Sequence, residues 1–366
     1  MSGLAAAAMV ALAYQFTAIL AALRHRMRRD PRPRRPLPPV SVLKPVRGLD
    51  PGFREAIRSH AAQQYPEFEI LFGVTDRDDP AAGEIRELMR EFPGVPIRLI
   101  VSETAAPNGK AGVLADLAAQ ARFDVLLVND SDIHVPPGYL RDVAAPLEDP
   151  RVGLVTCLYR ASAATLPGIW EALGIATDFA PGVLVAPFVG VNEFGLGSTL
   201  VFRRADLGRI GGFAAIADYI ADDYQLARRI TGLGLRVHLS RVVVETALQA
   251  DSWRQVWDHQ LRWHRTIRVS RGAYFGLPVT HATLWAVAAA AAGEFAWAGA
   301  LLAARMVMAL VSGWGVLRSP LVLRYAALIP ARDLWGTAVW AAGAFGDTVR
   351  WRDRVLKLSP DGRIVG

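Results

Sequence analysis

Cysteine is almost absent from this sequence, which contains only Cys157 among its 366 residues. One thiol excludes an intramolecular disulfide and fits a reducing compartment. No Gly-x-Gly-x-x-Gly motif opens the first predicted helix, which argues against a dinucleotide cofactor. Basic residues are also missing ahead of the first apolar run, where a secretory signal peptide would carry them. The absences therefore predict a chain that faces the cytoplasm and retains its first apolar segment.

The two ends of the chain hold most of its apolar residues. The hydrophobic content is 52% and the mean hydropathy is +0.24, both high for a soluble protein. Residues 4–23 contain no charge, and as a helix they would span about 30 Å, the thickness of one bilayer core. We predict a transmembrane anchor over residues 1–23 with its amino terminus outside.

A basic, proline-rich linker is predicted over residues 24–39, on the cytoplasmic side of the anchor. The formal net charge of the chain is +7, and much of it comes from this linker. Because the linker directly follows an apolar segment, anionic lipid headgroups are its predicted partner rather than nucleic acid. Its arginines are Arg24, Arg26, Arg28, Arg29, Arg32, Arg34 and Arg35.

The carboxyl-terminal part predicts further membrane segments. Residues 275–293 and 295–317 are apolar stretches separated by Glu294, and Arg305 lies inside the second. The next apolar run, residues 334–346, is shorter than the roughly 18 residues needed to cross and is predicted to be re-entrant or interfacial. We predict this membrane region over residues 272–349 and a basic cytoplasmic tail over residues 350–366, in a multi-pass protein of the cell inner membrane.

Residues 40–271 predict one cytoplasmic α/β domain. Strands are predicted at residues 40–45, 69–74, 97–101 and 125–128, with helices at residues 51–64, 81–91 and 109–121 between them. This alternation with short connections indicates a parallel, doubly wound sheet with right-handed crossovers. Residues 165–189 mix apolar side chains with prolines, and they fit either a segment near the membrane surface or a buried insertion.

The fourth predicted strand ends in a cluster of polar residues. Residues 125–128 are branched and apolar without helical spacing, which predicts a strand buried on both faces, and Asn129, Asp130, Ser131 and Asp132 follow. Ligands of open α/β sheets bind at this edge. The paired carboxylates suit Mg²⁺ or Mn²⁺, and such an ion suits a diphosphate. The alternative is a polar turn, since Asn, Asp and Ser all form turns.

Two other candidate residues face the same edge of the sheet. Asp76 follows the second strand as Asp130 follows the fourth. Lys110 lies at the start of a predicted helix, where the helix dipole and a lysine together favour an anion. The simpler explanations are that Asp76 lies near a helix cap and that Lys110 is a surface lysine.

Later segments add a glycine, an acid and an aromatic helix. Gly197 precedes a strand and would allow close backbone approach. Asp222 is predicted to cap a helix, which places Asp223 in its first turn, where an acid is expected in any case. Trp253 and Trp257 share one face of a basic helix over residues 252–271, which fits a helix lying on lipid headgroups.

In combination these residues resemble the motifs of GT-A glycosyltransferases of the family-2 clan, which follow the pattern D, DxD, D and (Q/R)xxRW. Within the clan the sequence is most similar to the ceramide glucosyltransferase family and its bacterial hopanoid-associated relatives, through residues 42–45, 129–132, 155–160 and 219–224. One position departs from the pattern, because a histidine replaces Gln or Arg at the start of the last motif. The motifs are Asp76, Asp130-Ser131-Asp132, Asp223 and His259-Gln260-Leu261-Arg262-Trp263.

The resemblance implies an α/β protein of the GT-A fold, with a doubly wound mixed sheet and with transmembrane helices at both ends. It also implies transfer of one sugar with inversion. The implied donor is UDP-glucose or UDP-N-acetylglucosamine, and the acceptor is a lipid hydroxyl such as that of a ceramide or hopanoid. Asp223 would be the catalytic base, and Mg²⁺ or Mn²⁺ would bind Asp132 and Asp130. Nucleotide-sugar binding is implied for Asp76, Lys110, Asp130, Arg262 and Trp263, and the acceptor or leaving-group environment for His259, Gln260 and Gly197.

Two alternatives stay open at this point. A processive polysaccharide synthase shares all four motifs but needs a membrane channel, for which three spans and a shallow segment are few. A membrane scaffold or transporter with an inactive glycosyltransferase-like domain would use Arg305 and the Arg332-Asp333 pair as a polar pathway. Release of UDP on addition of a lipid acceptor would separate both alternatives from a glycolipid-forming enzyme.

Overall fold

The computed structural model describes residues 3–31, 36–272, 274–351 and 354–365. The chain divides into two compact units. The α/β unit comprises Arg29–Tyr159 and Asn192–Ala247, and the helical unit comprises Met1–Arg28, Arg160–Val191 and Leu248–Gly366. Four arginines of the predicted basic segments lie outside the described residues, namely Arg32, Arg34, Arg35 and Arg352.

The strands and helices are numbered in chain order. The strands are β1 (Val40–Pro45), β2 (Phe68–Val74), β3 (Ile97–Val101), β4 (Val125–Val128), β5 (Ile133–His134), β6 (Val152–Ala163), β7 (Leu200–Arg203), β8 (Arg236–Leu248), β9 (Thr348–Trp351) and β10 (Arg354–Lys357). The helices are α1 (Gly3–Met27), α2 (Phe53–Ala61), α3 (Ala81–Glu91), α4 (Gly109–Gln120), α5 (Tyr139–Ala144), α6 (Leu166–Gly174), α7 (Ala180–Phe188), α8 (Arg204–Arg209), α9 (Asp222–Gly232), α10 (Trp253–Ser270), α11 (Ala282–Ala291), α12 (Phe295–Ala309), α13 (Pro320–Arg324) and α14 (Ile329–Gly343).

A mixed sheet organises the α/β unit, as predicted. Its strand order, in the described part of the chain, is β3-β2-β1-β4-β7-β6-β8-β5. The strands β3, β2, β1 and β4 are parallel, each joined to the next in sequence through a helix. Antiparallel pairing begins where β4 meets β7. The carboxyl ends of the parallel strands therefore share one edge, which is where α/β sheets bind ligands.

The strand β4 is buried on both faces because its four residues alternate between two cores. Val125 and Leu127 belong to one apolar cluster, together with side chains from α2, α3 and α5. Leu126 and Val128 belong to a second cluster, with side chains from α4 and α9. Successive strand residues point to opposite faces, so a short run of apolar residues fills both clusters. The polar residues that follow are thereby held at a fixed point of the sheet edge.

Within the described residues of the helical unit, three helices are long and apolar enough to cross a membrane: Gly3–Met27, Leu166–Phe188 and Phe295–Val316. The first and third agree with the predicted segments at the two ends. The second lies where the sequence left a choice between a surface segment and a buried insertion. The stretch predicted as a span over residues 275–293 folds instead as the 3-10 helix Tyr274–Thr280, which contains Pro278, followed by the short helix α11.

Candidate active site

Asn129 fixes the point at which β4 ends. Its side chain is fully buried and its Nδ2 donates to the carbonyl oxygen of Ser198 at 2.6 Å and to the hydroxyl of Tyr139 at 2.9 Å. The backbone N–H of the next residue, Asp130, donates to the carbonyl oxygen of Gly197 at 3.1 Å. These bonds tie the start of the turn to the segment that precedes β7, so the carboxylates that follow are held in place.

Lys110 contacts two carboxylates at this edge. Its Nζ lies 2.7 Å from Asp130 Oδ1 and 3.3 Å from Asp222 Oδ2. Burial lowers the pKa of Lys110, but the attraction of the two carboxylates outweighs it and raises the pKa overall. The lysine lies in the first turn of α4, whose N-cap is Asn108, with its side chain accepting from Ala111 N at 3.2 Å. The helix start therefore presents a fixed cation to the sheet edge.

Asp132 lies in a crowded group of carboxylates. Its Oδ2 accepts a short hydrogen bond from the hydroxyl of Thr246 on β8. Burial, and then repulsion from Asp130, raises the pKa of Asp132. Between the two acids, Ser131 Oγ donates to Asp50 Oδ2 at 2.5 Å. A carboxylate whose pKa is raised by a neighbouring acid gains stability from a bound cation, so this turn is electrostatically suited to a metal ion.

Gly197 links the acid pair to Asp223. A Cβ atom at position 197 would lie 2.8 Å from Asp130 Oδ2, so a side chain there would displace the carboxylate. The backbone N–H of Gly197 donates to Asp223 Oδ2 at 3.2 Å. The glycine is therefore explained by close approach, because the backbone passes between the two acids.

Asp223 lies in the first turn of α9, as expected, but its neighbour does not cap that helix. The helix begins at Asp222, and Ala221 occupies the N-cap position without a side-chain hydrogen bond. The predicted capping role of Asp222 is wrong, because its carboxylate is paired with Lys110. Asp223 accepts from Tyr224 N at 2.7 Å. Burial, and then repulsion from Asp222, raises the pKa of Asp223 to about 6.

Asp76 lies at the exposed end of β2, two strands away from β4 in the sheet. Its Oδ1 accepts from Asp78 N at 2.9 Å, whereas Asp79 accepts from Ala81 N in the first turn of α3. Asp79 therefore makes the helix-start bond, and Asp76 does not. Beside it lies an open groove of about 320 Å³ with Val74, Arg77, Arg86, Met89, Leu99 and Val101 in its wall.

Lys44 is a buried residue of the candidate site that the sequence did not reveal, and it lies behind the turn that follows β4. The residue is on β1, has no exposed surface, and its Nζ donates to the carbonyl oxygen of Asp130 at 3.1 Å. The same nitrogen lies 3.5 Å from His60 Nε2. Burial lowers the pKa of Lys44 to about 7, although Asp132 and Asp130 raise it in part. The pattern that could have revealed it is a lysine inside a mainly apolar strand that is buried on both faces.

The last predicted motif, residues 259–263, lies on α10 in the helical unit. The His259 Nδ1 contacts the carboxylate of Glu171, and its ring lies 4.7 Å from the ring of Trp263. Gln260 is buried and its Oε1 accepts from Trp335 Nε1 at 2.9 Å. The first two positions of the motif are thus occupied by contacts within the helical unit.

Two more features of α10 concern its aromatic and basic residues. Trp253 and Trp257, predicted to share a face, both pack against Trp335, with ring centroids 5.9 and 5.3 Å away. Arg262 is half-buried. The tryptophans therefore form part of the packing of α10 on α14 within this unit.

The fold and the acids at the end of β4 define a GT-A glycosyltransferase. The chain belongs to glycosyl transferase family 21, whose family model matches residues 3–364. The mannosyltransferase PcManGT of Pyrobaculum calidifontis, solved in complex with GDP-Man and Mn²⁺, shares the fold with a TM-score of 0.56. It is 23% identical, and the superposition covers 93% of this chain and 97% of that one.

Curated relatives are ceramide glucosyltransferases, which confirms the predicted family. Ceramide glucosyltransferase 1 of Caenorhabditis elegans is 27% identical over 221 residues, covering 60% of this chain and 46% of that protein. The ceramide glucosyltransferase of Komagataella phaffii is 32% identical over 114 residues, covering 29% of this chain and 22% of that protein. The chain thus spans less than half the length of these relatives.

Proposed function

We propose that this chain is a membrane-bound inverting glycosyltransferase that moves one glucose or N-acetylglucosamine from a UDP-sugar to the hydroxyl of a lipid such as a ceramide or hopanoid. The observation that carries the proposal is the contact group formed by Lys110, Asp130, Asp222, Asp223 and Gly197 at the carboxyl edge of the sheet. It combines acids for a metal ion, a cation for a diphosphate and a buried carboxylate for proton transfer.

The residues present fit a divalent metal ion shared with the substrate. Among the described residues, no group of three or more His, Cys, Asp or Glu side chains is arranged to hold a metal alone. Two carboxylates, Asp130 and Asp132, are what Mg²⁺ or Mn²⁺ uses when diphosphate oxygens and water complete its coordination. When bound, the ion would neutralise charge on the diphosphate. The Mn²⁺ in the PcManGT complex supports a metal of this class.

The chain's own cation would stabilise the departing nucleotide. Lys110 stays charged because Asp130 and Asp222 raise its pKa, so it offers a permanent positive charge beside the metal-binding acids. Asp76, exposed beside the groove at the end of β2, would accept hydrogen bonds from the uracil. Arg262 and Trp263 keep the roles that the resemblance implies, a second cation and a flat wall.

Asp223 would act as the general base in a single displacement. The acceptor hydroxyl gives its proton to Asp223 while its oxygen attacks the anomeric carbon, and the bond from that carbon to the diphosphate oxygen breaks. One displacement inverts the anomeric configuration. With a pKa of about 6 the carboxylate is mostly ionised at neutral pH yet more basic than an ordinary aspartate.

The proposal is tested by transfer assays with the full-length protein in lipid vesicles. UDP-glucose and UDP-N-acetylglucosamine are each supplied with ceramide, a hydroxylated hopanoid or diacylglycerol, in the presence of Mg²⁺ or Mn²⁺. The expected result is UDP release only with a lipid acceptor, together with a product that mass spectrometry finds heavier by one hexose with UDP-glucose or by one N-acetylhexosamine with UDP-N-acetylglucosamine. Lipids from cells with and without the gene should differ by the same product.

Other results of this assay would overturn the proposal. A polymeric product would indicate a processive synthase, and UDP release without an acceptor would indicate hydrolysis. No turnover with any pair, although UDP binds, would favour a scaffold or transporter with an inactive domain. The Asp132→Asn variant serves as the control for activity that depends on the acid pair.

A further inference from the structure

The apolar helices of the helical unit carry a cluster of charged and polar side chains, called here the polar cluster. It comprises Gln15 on α1, Asp178 between α6 and α7, Arg305 on α12, and Arg332 and Asp333 on α14. The two arginines are 4% and 6% exposed, and Gln15 is fully buried. Ionisable residues among membrane-crossing helices are expensive to bury, and where they occur they usually serve a function.

Arg305 and Asp333 satisfy each other only in part. Arg305 Nε lies 2.8 Å from Asp333 Oδ2, and its Nη2 lies 2.5 Å from Asp333 Oδ1. The Thr283 hydroxyl donates to the same carboxylate at 2.5 Å. The remaining nitrogen, Arg305 Nη1, is buried and has no hydrogen-bond partner within the described residues. Both carboxylate oxygens of Asp333 therefore accept hydrogen bonds, whereas Arg305 Nη1 can still donate to a bound group.

Arg332 is a second group with unsatisfied donors, and Gln15 and Asp178 supply two unsatisfied acceptors within the described residues. Arg332 Nε and Nη1 are buried and have no hydrogen-bond partner in the described part of the chain, and the same is true of Gln15 Oε1. The amide nitrogen of Gln15 donates to the carbonyl oxygen of Thr280 at 3.0 Å. Asp178 is exposed and forms no hydrogen bond or ion pair with any residue that the structure describes. A Cβ on Gly336 would lie 2.8 Å from Arg332 Nη1 and 3.6 Å from Asp178 Oδ2, so both groups border one gap.

The size of the opening limits what these groups can bind. Gln15, Asp178 and Arg305 line a cavity of about 20 Å³, with Tyr14 and His281 also in its wall. A single water molecule needs about 10–15 Å³ on the same measure, so the cavity accepts one hydroxyl-sized group but neither a phosphate nor a sugar. Two arginines against two aspartates leave no excess positive charge for an anion.

The backbone at the polar cluster is also unusual. Ile175–Phe179, which contains Asp178, is a π-helix, and a second π-helix, Leu310–Val316, packs on it through Ser312 Oγ and the carbonyl oxygen of Ala176 at 3.4 Å. π-Helical turns account for well under 1% of residues and are found frequently at functional sites. This observation is independent of the unpaired polar atoms and points to the same place.

We propose that the polar cluster binds a hydroxyl group of a neutral lipid taken from the bilayer, other than the hydroxyl that gives its proton to Asp223, and this rests on the proposed function in identifying that lipid as the acceptor. A hydroxyl is both donor and acceptor, so it can donate to Asp178 or Gln15 Oε1 and accept from Arg305 Nη1. The acyl chains would stay among the apolar helices. Lipids with a phosphate headgroup would be excluded by the size and the charge balance of the cavity.

The test measures lipid binding without donor sugar, so its outcome does not depend on turnover. Full-length protein in nanodiscs is titrated with fluorescent short-chain ceramide, with its O-methylated analogue, and with phosphatidic acid of equal chain length. Gln15→Leu and Asp178→Asn are compared with wild type. Gly182→Ala is the matched control, since its Cβ would meet only Tyr14 Oη, at 4.0 Å. Melting temperatures identify any variant that fails to fold.

We expect the two cluster variants to bind ceramide about 10-fold more weakly, as replacement of a charged acceptor by a neutral one predicts for Asp178→Asn. The O-methylated analogue should bind wild type as weakly as ceramide binds the variants, and Gly182→Ala should match wild type. Equal ceramide affinity in wild type and both folded variants would show that the cavity holds only a water molecule. Preference of the wild type for phosphatidic acid would overturn the neutral-lipid assignment.

Discussion

Replacing Asp223 by asparagine removes a proton acceptor while leaving the size and shape of the side chain unchanged. The asparagine oxygen can still accept from Tyr224 N, but its amide nitrogen would face the N–H of Gly197. Loss of that one hydrogen bond costs about 1 kcal/mol, and relief of the repulsion from Asp222 offsets part of it. The variant should therefore fold with nearly normal stability.

The expected effect on catalysis is much larger than the effect on folding. Loss of a general base slows a reaction by roughly 10²–10⁴-fold, which corresponds to about 3–5 kcal/mol in the activation free energy. Initial rates of glycolipid formation should fall by this factor in Asp223→Asn, while calorimetry finds UDP affinity within about twofold of wild type. The wild-type rate should also fall as pH drops below about 6, because protonated Asp223 cannot accept a proton.

Asp222→Asn is the informative comparison, because the structure gives Asp222 a different partner. Its carboxylate pairs with Lys110, so asparagine there should weaken donor binding several-fold. It should also move the acidic limb of the pH profile to lower pH without removing it, because the repulsion that raises the pKa of Asp223 is lost. The reasoning is refuted if Asp223→Asn transfers sugar at a near-normal rate. An inactive Asp222→Asn with normal UDP affinity would move the base one residue earlier.

Four other predictions follow from the same geometry and from the sequence. Asp132→Asn should abolish metal-dependent UDP binding, and undiminished affinity by calorimetry at saturating Mn²⁺ would leave the acid pair as a turn. Gly197→Ala should weaken UDP binding about 10-fold by displacing Asp130, whereas Gly208→Ala, whose Cβ meets nothing within 4 Å, should not. Lys44 has a pKa of about 7 in the folded protein and 10.5 in the unfolded chain, so the free energy of unfolding should rise from pH 7 to 10, by at most about 5 kcal/mol. Thermal melts of Lys44→Met should not show this rise. A protease outside the cell should reach an amino-terminal tag but cut a carboxyl-terminal tag only in inverted vesicles, and both tags on one side would change the span count by one.

The α/β elements were predictable because each has a local pattern that its burial enforces. The predicted bounds of β1, α3, β3 and β4 agree with the structure residue for residue. Each of these strands fills buried positions with apolar residues, and α3 buries one face of an amphipathic helix. The long apolar helix Leu166–Phe188 was harder to predict, because its prolines and its two acids are not typical of a membrane-crossing helix. Prolines near helix starts, such as Pro167 and Pro181, are compatible with helix, and a π-helical turn joins the two halves.

The individual acids of the candidate site were visible in the sequence, but their pairings were not. Asp130 and Asp132 stand out because they follow an apolar strand. Nothing local indicates that Asp222 pairs with Lys110, more than a hundred residues earlier in the chain, because that contact exists only after α4 and α9 pack on the same face of the sheet. Helix-cap preference predicted that Asp222 caps α9, but the carboxylate pairs with Lys110 instead.

Lys110 shows what this difference means for mechanism. One ammonium group contacts both Asp130, which would hold the metal, and Asp222, the direct neighbour of the proposed base. A bound metal ion would compete with Lys110 for Asp130, so the ammonium group would pair mainly with Asp222. That pairing would change the repulsion between Asp222 and Asp223, which raises the pKa of Asp223. We therefore expect the proposed donor site and the proposed base to be electrostatically coupled through one shared cation.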